Sequence, residues 1–191
     1  MTGLFGGAFD PPHVGHVGLA SAAKERFDLP RLTILVAAHP GHKQTHLPAE
    51  VRLDLARAAF TGDDVRLDSY ARTIDLLRGE SFDDPLFIVG ADQFSDFLSW
   101  KEPDAVLERA RLAVATRPGY PRERLDEVLE ELDLPERVVF FDIEPNPVAS
   151  SDIRALAAAG APLSGLVPDG VRDLIRERGL YSVHRTSADR G

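Results

Sequence analysis

Two histidines, His13 and His16, stand three positions apart around a glycine in "GGAFDPPHVGH", residues 6–16. Imidazole N–H groups donate hydrogen bonds to phosphate oxygens. The preceding glycines let a backbone approach a ligand closely, and an alanine-rich amphipathic run follows, whose helix N-terminus offers N–H groups to an anion. These residues fit a phosphate-binding turn. They also fit a plain strand-to-helix turn at Asp10-Pro11-Pro12 with both imidazoles solvated. The pattern is not G-x-G-x-x-G, so a dinucleotide-hydride enzyme loses its usual support.

Three further polar clusters could join the first. In "HPGHKQTH" (39–46), Lys43 supplies a point charge for a phosphate. His39, His42 and His46 share that loop, but a Gly/Pro setting gives them no fixed helical face and no carboxylate is near, which argues against zinc. A solvated polar loop fits the same residues. In "GAD", Gly90 and Asp92 end a strand where a carboxylate suits a ribose diol; Asp92 would equally suit a helix N-cap. In "VASSDIR" (148–154), Ser150, Ser151 and Arg154 either grip a phosphate at a helix N-terminus or merely cap and decorate that helix. Trp100, the single tryptophan, lies beside Lys101 and reads as core or as a platform for an aromatic base.

The elements that must position these groups alternate along the chain. Strands are expected at Leu4-Phe5, 31–38, 64–69, 85–92, 111–119 and 137–143. Helices are expected after His16 with Val17, Ala20, Ala23 and Phe27 on one face, then around Val51, Leu55 and Ala59, and over 73–80, 103–110, 122–132, 151–159 and 169–179. That order predicts one α/β domain over residues 1–181. Its sheet is doubly wound and mostly parallel, with helices on both faces and ligands beyond the carboxyl ends of the strands. Residues 182–191 are polar and expected to be a frayed tail.

Composition narrows the function. The chain has 191 residues, 43% hydrophobic and 28% charged, with formal net charge −9, which disfavours a broad surface for nucleic acid. A cleft in such a chain can still be locally positive. No apolar run approaches the roughly 20 residues of a membrane span, and no signal segment is expected. The absence of cysteine excludes disulfides and thiolate sites and fits a cytoplasmic protein.

Taken together, the clusters resemble a known family. "GGAFDPPHVGH" is similar to the G-G-x-F-D-P-x-H-x-G-H signature of the HxGH nucleotidyltransferases, and "VASSDIR" to their second signature. "GADQFSDFLSW", "RLAVATRPGYP" and "LVPDGVRDLIRERGLY" resemble the bacterial nicotinate-mononucleotide adenylyltransferases. The resemblance runs from Thr2 to Tyr181. It implies a Rossmann-like fold and adenylyl transfer from ATP, with Mg²⁺, to nicotinate mononucleotide in NAD biosynthesis. By the same resemblance, His13, His16, Lys43 and Arg154 are catalytic, and Gly6, Gly7, Ala8, Phe9, Gly90, Asp92, Ser150 and Ser151 help bind ATP. Lys43, Thr73, Trp100 and Lys101 are then expected to face nicotinate mononucleotide.

The chain departs from the family at Ala8, Ala149 and Ser151, and at Arg72 and Leu76 in "ARTIDLL", a segment that bears on the choice between nicotinate and nicotinamide. Nicotinamide mononucleotide and phosphopantetheine are the alternative acceptors. Cytidylyl transfer is a further relative, and a catalytically silent nucleotide-binding domain is the alternative of a different class. Neither a membrane nor a nucleic acid is expected as partner; a homo-oligomer stays open.

Overall fold

The computed structural model describes residues 1–41, 44–117 and 119–182. Lys43, His42 and the tail beyond Ser182 lie outside the described residues. In chain order the elements are β1 (Thr2–Gly7), α1 (Val14–Arg26), β2 (Leu32–Ala37), α2 (Ala49–Ala59), β3 (Asp64–Asp68), α3 (Thr73–Gly79) and β4 (Pro85–Gly90). Then follow α4 (Ala91–Ser95), α5 (Pro103–Arg109), β5 (Arg111–Thr116), α6 (Arg122–Glu130), β6 (Val138–Asp142), α7 (Ser150–Ala158) and α8 (Asp169–Arg178). Short 3-10 turns lie at Phe97–Ser99 and Pro135–Arg137.

The strands form one six-stranded sheet in the order β3-β2-β1-β4-β5-β6, every pair parallel. Apolar runs such as "LTILVA" and "PLFIVG" suit strands buried on both faces. Their side chains alternate between two cores. Phe5, Ile34, Val36 and Ile88 join Ala20, Leu55, Ile153 and Val171 on one face. Leu4, Leu35, Phe87 and Val89 join Ile74, Phe94, Val106 and Leu125 on the other. The acidic α6 thus buries Leu125 and Val128 while its charges face water.

Several expected strands are shorter than the sequence suggests; 111–119, for one, is extended only to Thr116. The run 85–92 is extended only to Gly90; Ala91 and Asp92 open the five-residue α4, held by the Gly90 N–H on Gln93 Oε1 at 3.3 Å. The strand order reverses between β1 and β4. Chains leaving neighbouring strands in opposite directions open a crevice beyond their carboxyl ends, where ligands of such sheets bind.

Candidate active site

A cleft of about 990 Å³ lies at that reversal, at the upper end of the range for small-molecule sites. Gly6, Gly7, Ala8 and Phe9 line it from the end of β1, His13 and His16 from the start of α1, and Gly90 and Asp92 from the end of β4. Ser150, Ser151 and Arg154 line it from α7. Three of the four predicted clusters thus meet across up to 148 positions, and the loop 39–46 adds Gln44. Gly90 leaves the space in front of it open, whereas a side chain on Gly7 would come within 2.8 Å of the Phe9 ring that covers it.

The two histidines are built into the helix start. His13 is the N-cap of α1: its Nδ1 accepts the Gly15 N–H at 3.2 Å, and its own N–H goes to His16 Nδ1 at 3.3 Å. An Nδ1 that accepts must leave the proton of a neutral ring on Nε2. Both imidazoles are thereby set as Nε2–H donors, with ring centroids 3.8 Å apart. His13 is 9% exposed, which overturns the solvated-turn reading. Burial holds its pKa down to about 4 from the ordinary 6.5, the Asp152 carboxylate opposing in part, so it is neutral at neutral pH. A Cβ at Gly15 would sit 3.0 Å from the His13 ring, so the imidazole would have to shift to admit it.

Two details differ from expectation. The first N–H groups of α1 are already engaged: Val14 donates to the Leu166 carbonyl, Gly15 to the His13 ring, and His16 and Val17 to the His13 carbonyl. The imidazoles, rather than that helix's amides, are the donors this loop presents. At α7 the N-cap is Ala149, without a side-chain cap, so neither serine caps the helix. Ser150 instead spends its hydroxyl proton on the Pro11 carbonyl at 2.9 Å, pinning the signature loop, while Ser151 is exposed at the cleft. An uncapped nine-residue helix aimed at a cleft offers the positive end of its dipole there.

Arg154 Nη1 donates to the Asp10 carbonyl at 2.8 Å. Arg52, 1% exposed, donates Nη1 to the Ala8 carbonyl at 2.7 Å and Nε to the Leu47 carbonyl at 3.1 Å. Asp92 does not act as an N-cap: Gly90 occupies that position, and Asp92 Oδ1 accepts the Tyr120 hydroxyl at 3.1 Å.

Thr73, Trp100 and Lys101 do not line this cleft. Thr73 begins α3; Trp100 is half-buried with its ring 5.1 Å from Phe97 and 6.3 Å from Phe87; Lys101 Nζ pairs with Asp75 at 2.8 Å. Of the two departures nearby, Leu76 is 1% exposed and packs into the core, so only Arg72 reaches the surface. Sequence reading missed Arg117, Gln93, Asn146 and Asp10 in the lining. Arg117, the first residue past β5, carried a usable signal, being basic at a strand's carboxyl end.

A parallel sheet with a donor-rich cleft at its strand-order reversal defines a nucleotide-binding α/β protein. The cytidylyltransferase-like family profile matches residues 4–186, and the chain belongs to that family. Among its relatives, the "probable nicotinate-nucleotide adenylyltransferase" of Thermus thermophilus is 39% identical, covering 94% of this chain and 98% of that protein. The protein of the same name from Rubrobacter xylanophilus is 35% identical, covering 94% and 91%. In fold, the chain matches Plasmodium falciparum nicotinic acid mononucleotide adenylyltransferase, solved in a complex with NaAD, with TM-score 0.75 over 94% of this chain and 96% of that one, at 14% identity.

Proposed function

We propose that this protein is a nicotinate-nucleotide adenylyltransferase of NAD biosynthesis. It transfers the adenylyl group of ATP to the 5′-phosphate of nicotinate mononucleotide, giving nicotinate adenine dinucleotide and pyrophosphate. The observation that carries the reading is the reciprocal His13–His16 arrangement, two Nε2–H donors at a nucleotide-binding switch point. Relatives named for this activity match nearly the whole chain.

The chemistry asks for alignment rather than a protein nucleophile. A phosphate oxygen of the acceptor, already anionic at neutral pH, attacks the α-phosphorus while the bond to the bridging oxygen of pyrophosphate breaks. Charge spreads over the α-phosphoryl oxygens and the leaving group, where fixed donors lower the barrier most. In this reading His13, His16 and Arg154 supply those donors, the α7 N-terminus adds its dipole, and Lys43 holds phosphate. Gly6, Gly7, Ala8 and Phe9 form the floor beneath ATP, Gly90 and Asp92 face its ribose, and Ser150 and Ser151 flank its phosphates. Thr73, Trp100 and Lys101 serve the acceptor. Magnesium arrives as part of the substrate, Mg-ATP. The buried carboxylate of the signature loop, Asp10, has both oxygens engaged by Tyr181 and His46, so the nucleotide's own phosphates are the fitting ligands for the ion. Among the described residues no helix is long and apolar enough to cross a membrane, and we place the reaction in the cytoplasm.

Pyrophosphate release with Mg-ATP tests this, with nicotinate mononucleotide, nicotinamide mononucleotide and phosphopantetheine offered separately. Preference for the nicotinate form is the expected result. Preference for another acceptor keeps adenylyl transfer and reassigns the pathway. Silence with all three, from folded protein, overturns the reading.

A further inference from the structure

Asp10 is 4% exposed, and its carboxylate ties together segments from three parts of the chain. Oδ1 accepts the Tyr181 hydroxyl at 2.7 Å, and Oδ2 accepts the backbone N–H of His46. The carbonyl of the same residue accepts Arg154 Nη1. Arg154 lines the main cleft and also a second cavity of about 350 Å³, formed with His46, Leu47, Ala158 and Tyr181. Arg154 thus borders open space on two sides. Its direction comes from the carbonyl it holds, and that peptide is in turn fixed by the Asp10 side chain. Tyr181 follows α8 and adopts left-handed backbone, φ 63°, a conformation unfavourable for a residue with a side chain. Such backbone persists where the surroundings over-determine it, and here the hydroxyl reaches the signature loop.

We propose that Tyr181 is a positioning residue for adenylyl transfer: through Asp10 it fixes the peptide that aims Arg154 into the cleft. The proposal rests on the reading of Arg154 as a phosphate-binding group. It predicts a coupling between residues 27 positions apart that is absent from a purely structural role, in which losses at the two sites would multiply.

Tyr181→Phe deletes the hydroxyl and keeps the ring. In the otherwise unaltered protein we expect kcat/KM for ATP to fall about tenfold, and the affinity for a non-transferable ATP analogue, read by calorimetry, to fall alike. In an Arg154→Ala background, adding Tyr181→Phe should change kcat/KM by less than about twofold. An equal loss in both backgrounds overturns the proposal, as does unchanged analogue affinity in the single variant. If the unaltered protein binds the analogue but adenylylates no acceptor, the functional reading fails, while the analogue affinities still decide this one. Should the phenylalanine variant not fold, Asp10→Asn enters the same comparison, because an amide has one acceptor oxygen and cannot take both the Tyr181 hydroxyl and the His46 N–H.

Discussion

The two rims of the cleft's neighbourhood are held by different physics. On the signature side, Asp10, His13 and Arg52 are all buried, and the side chain of each is bonded to backbone. On the α3 side, Lys101 pairs with Asp75 and Arg78 with Glu102, at 2.8 and 2.6 Å, but all four side chains are 36–46% exposed. Exposed pairs contribute little, whereas removing one partner of a buried polar network leaves the other unsatisfied in a medium that cannot solvate it. The first rim therefore tolerates change only where backbone carries the contact. Ala8 illustrates this: it departs from the family signature, yet its carbonyl still receives Arg52. The second rim can accept substitutions such as Arg72 without disturbing the core.

The sharpest way to break the contrast is to remove a donor from the rigid rim at the cost of one scaffold contact, the His13 N–H on His16 Nδ1. His16→Ala should lower kcat by about 10²–10³, the range for losing one preorganised donor to developing charge. Because His16 is only half-buried, the melting midpoint should move little. Pyrophosphate release and a thermal melt on the same preparation check both halves. A variant of undiminished turnover would remove His16 from the mechanism.

Scaffold and chemistry separate next at Arg52. Arg52→Met keeps the length of the side chain and orphans the carbonyls of Ala8 and Leu47. We expect a loss of roughly 2–3 kcal/mol in urea denaturation. His13 then sharpens the same rim through pH. Its pKa is lowered to about 4 in the fold, chiefly by burial, against 6.5 when unfolded. Below about pH 6.5 the unfolded chain takes up a proton that the folded chain refuses until about pH 4. The stability this group contributes at neutral pH is thus lost as pH falls through that window. Denaturation across the window should show a slope that flattens in His13→Gln.

Most of this frame was legible in the sequence, for reasons that particular residues make plain. Apolar runs such as 85–90 can be little else than buried strands, and clusters that follow strands must gather at one sheet edge. What stayed hidden depended on partners far along the chain. Nothing local shows that Leu166 will cover the first amide of α1, or that Tyr181 will cross 171 positions to Asp10. Ser150 looked like a cap because serine favours that place, but the helix starts one residue earlier, with Ala149 as N-cap, and the Ser150 hydroxyl donates to the Pro11 carbonyl instead. The start of α4 read as strand because five residues hold too little periodicity to register.

The smallest effect belongs to the exposed rim. Lys101→Ala removes an ion pair whose members are 46% and 36% exposed, and geometry alone would credit a 2.8 Å contact with real strength. Solvent screening and the entropy of fixing two flexible side chains offset most of it, so stability should change by no more than about 0.5 kcal/mol. The pair does connect α3, where Thr73 begins, to the segment carrying Trp100, so loosening it should raise KM for the acceptor by about two- to threefold and leave kcat alone. Added salt should raise that KM more steeply in the unaltered protein than in Lys101→Ala. A kcat effect as large as that of His16→Ala would mean that the α3 rim, too, is part of the rigid machinery, and the contrast between the rims would collapse.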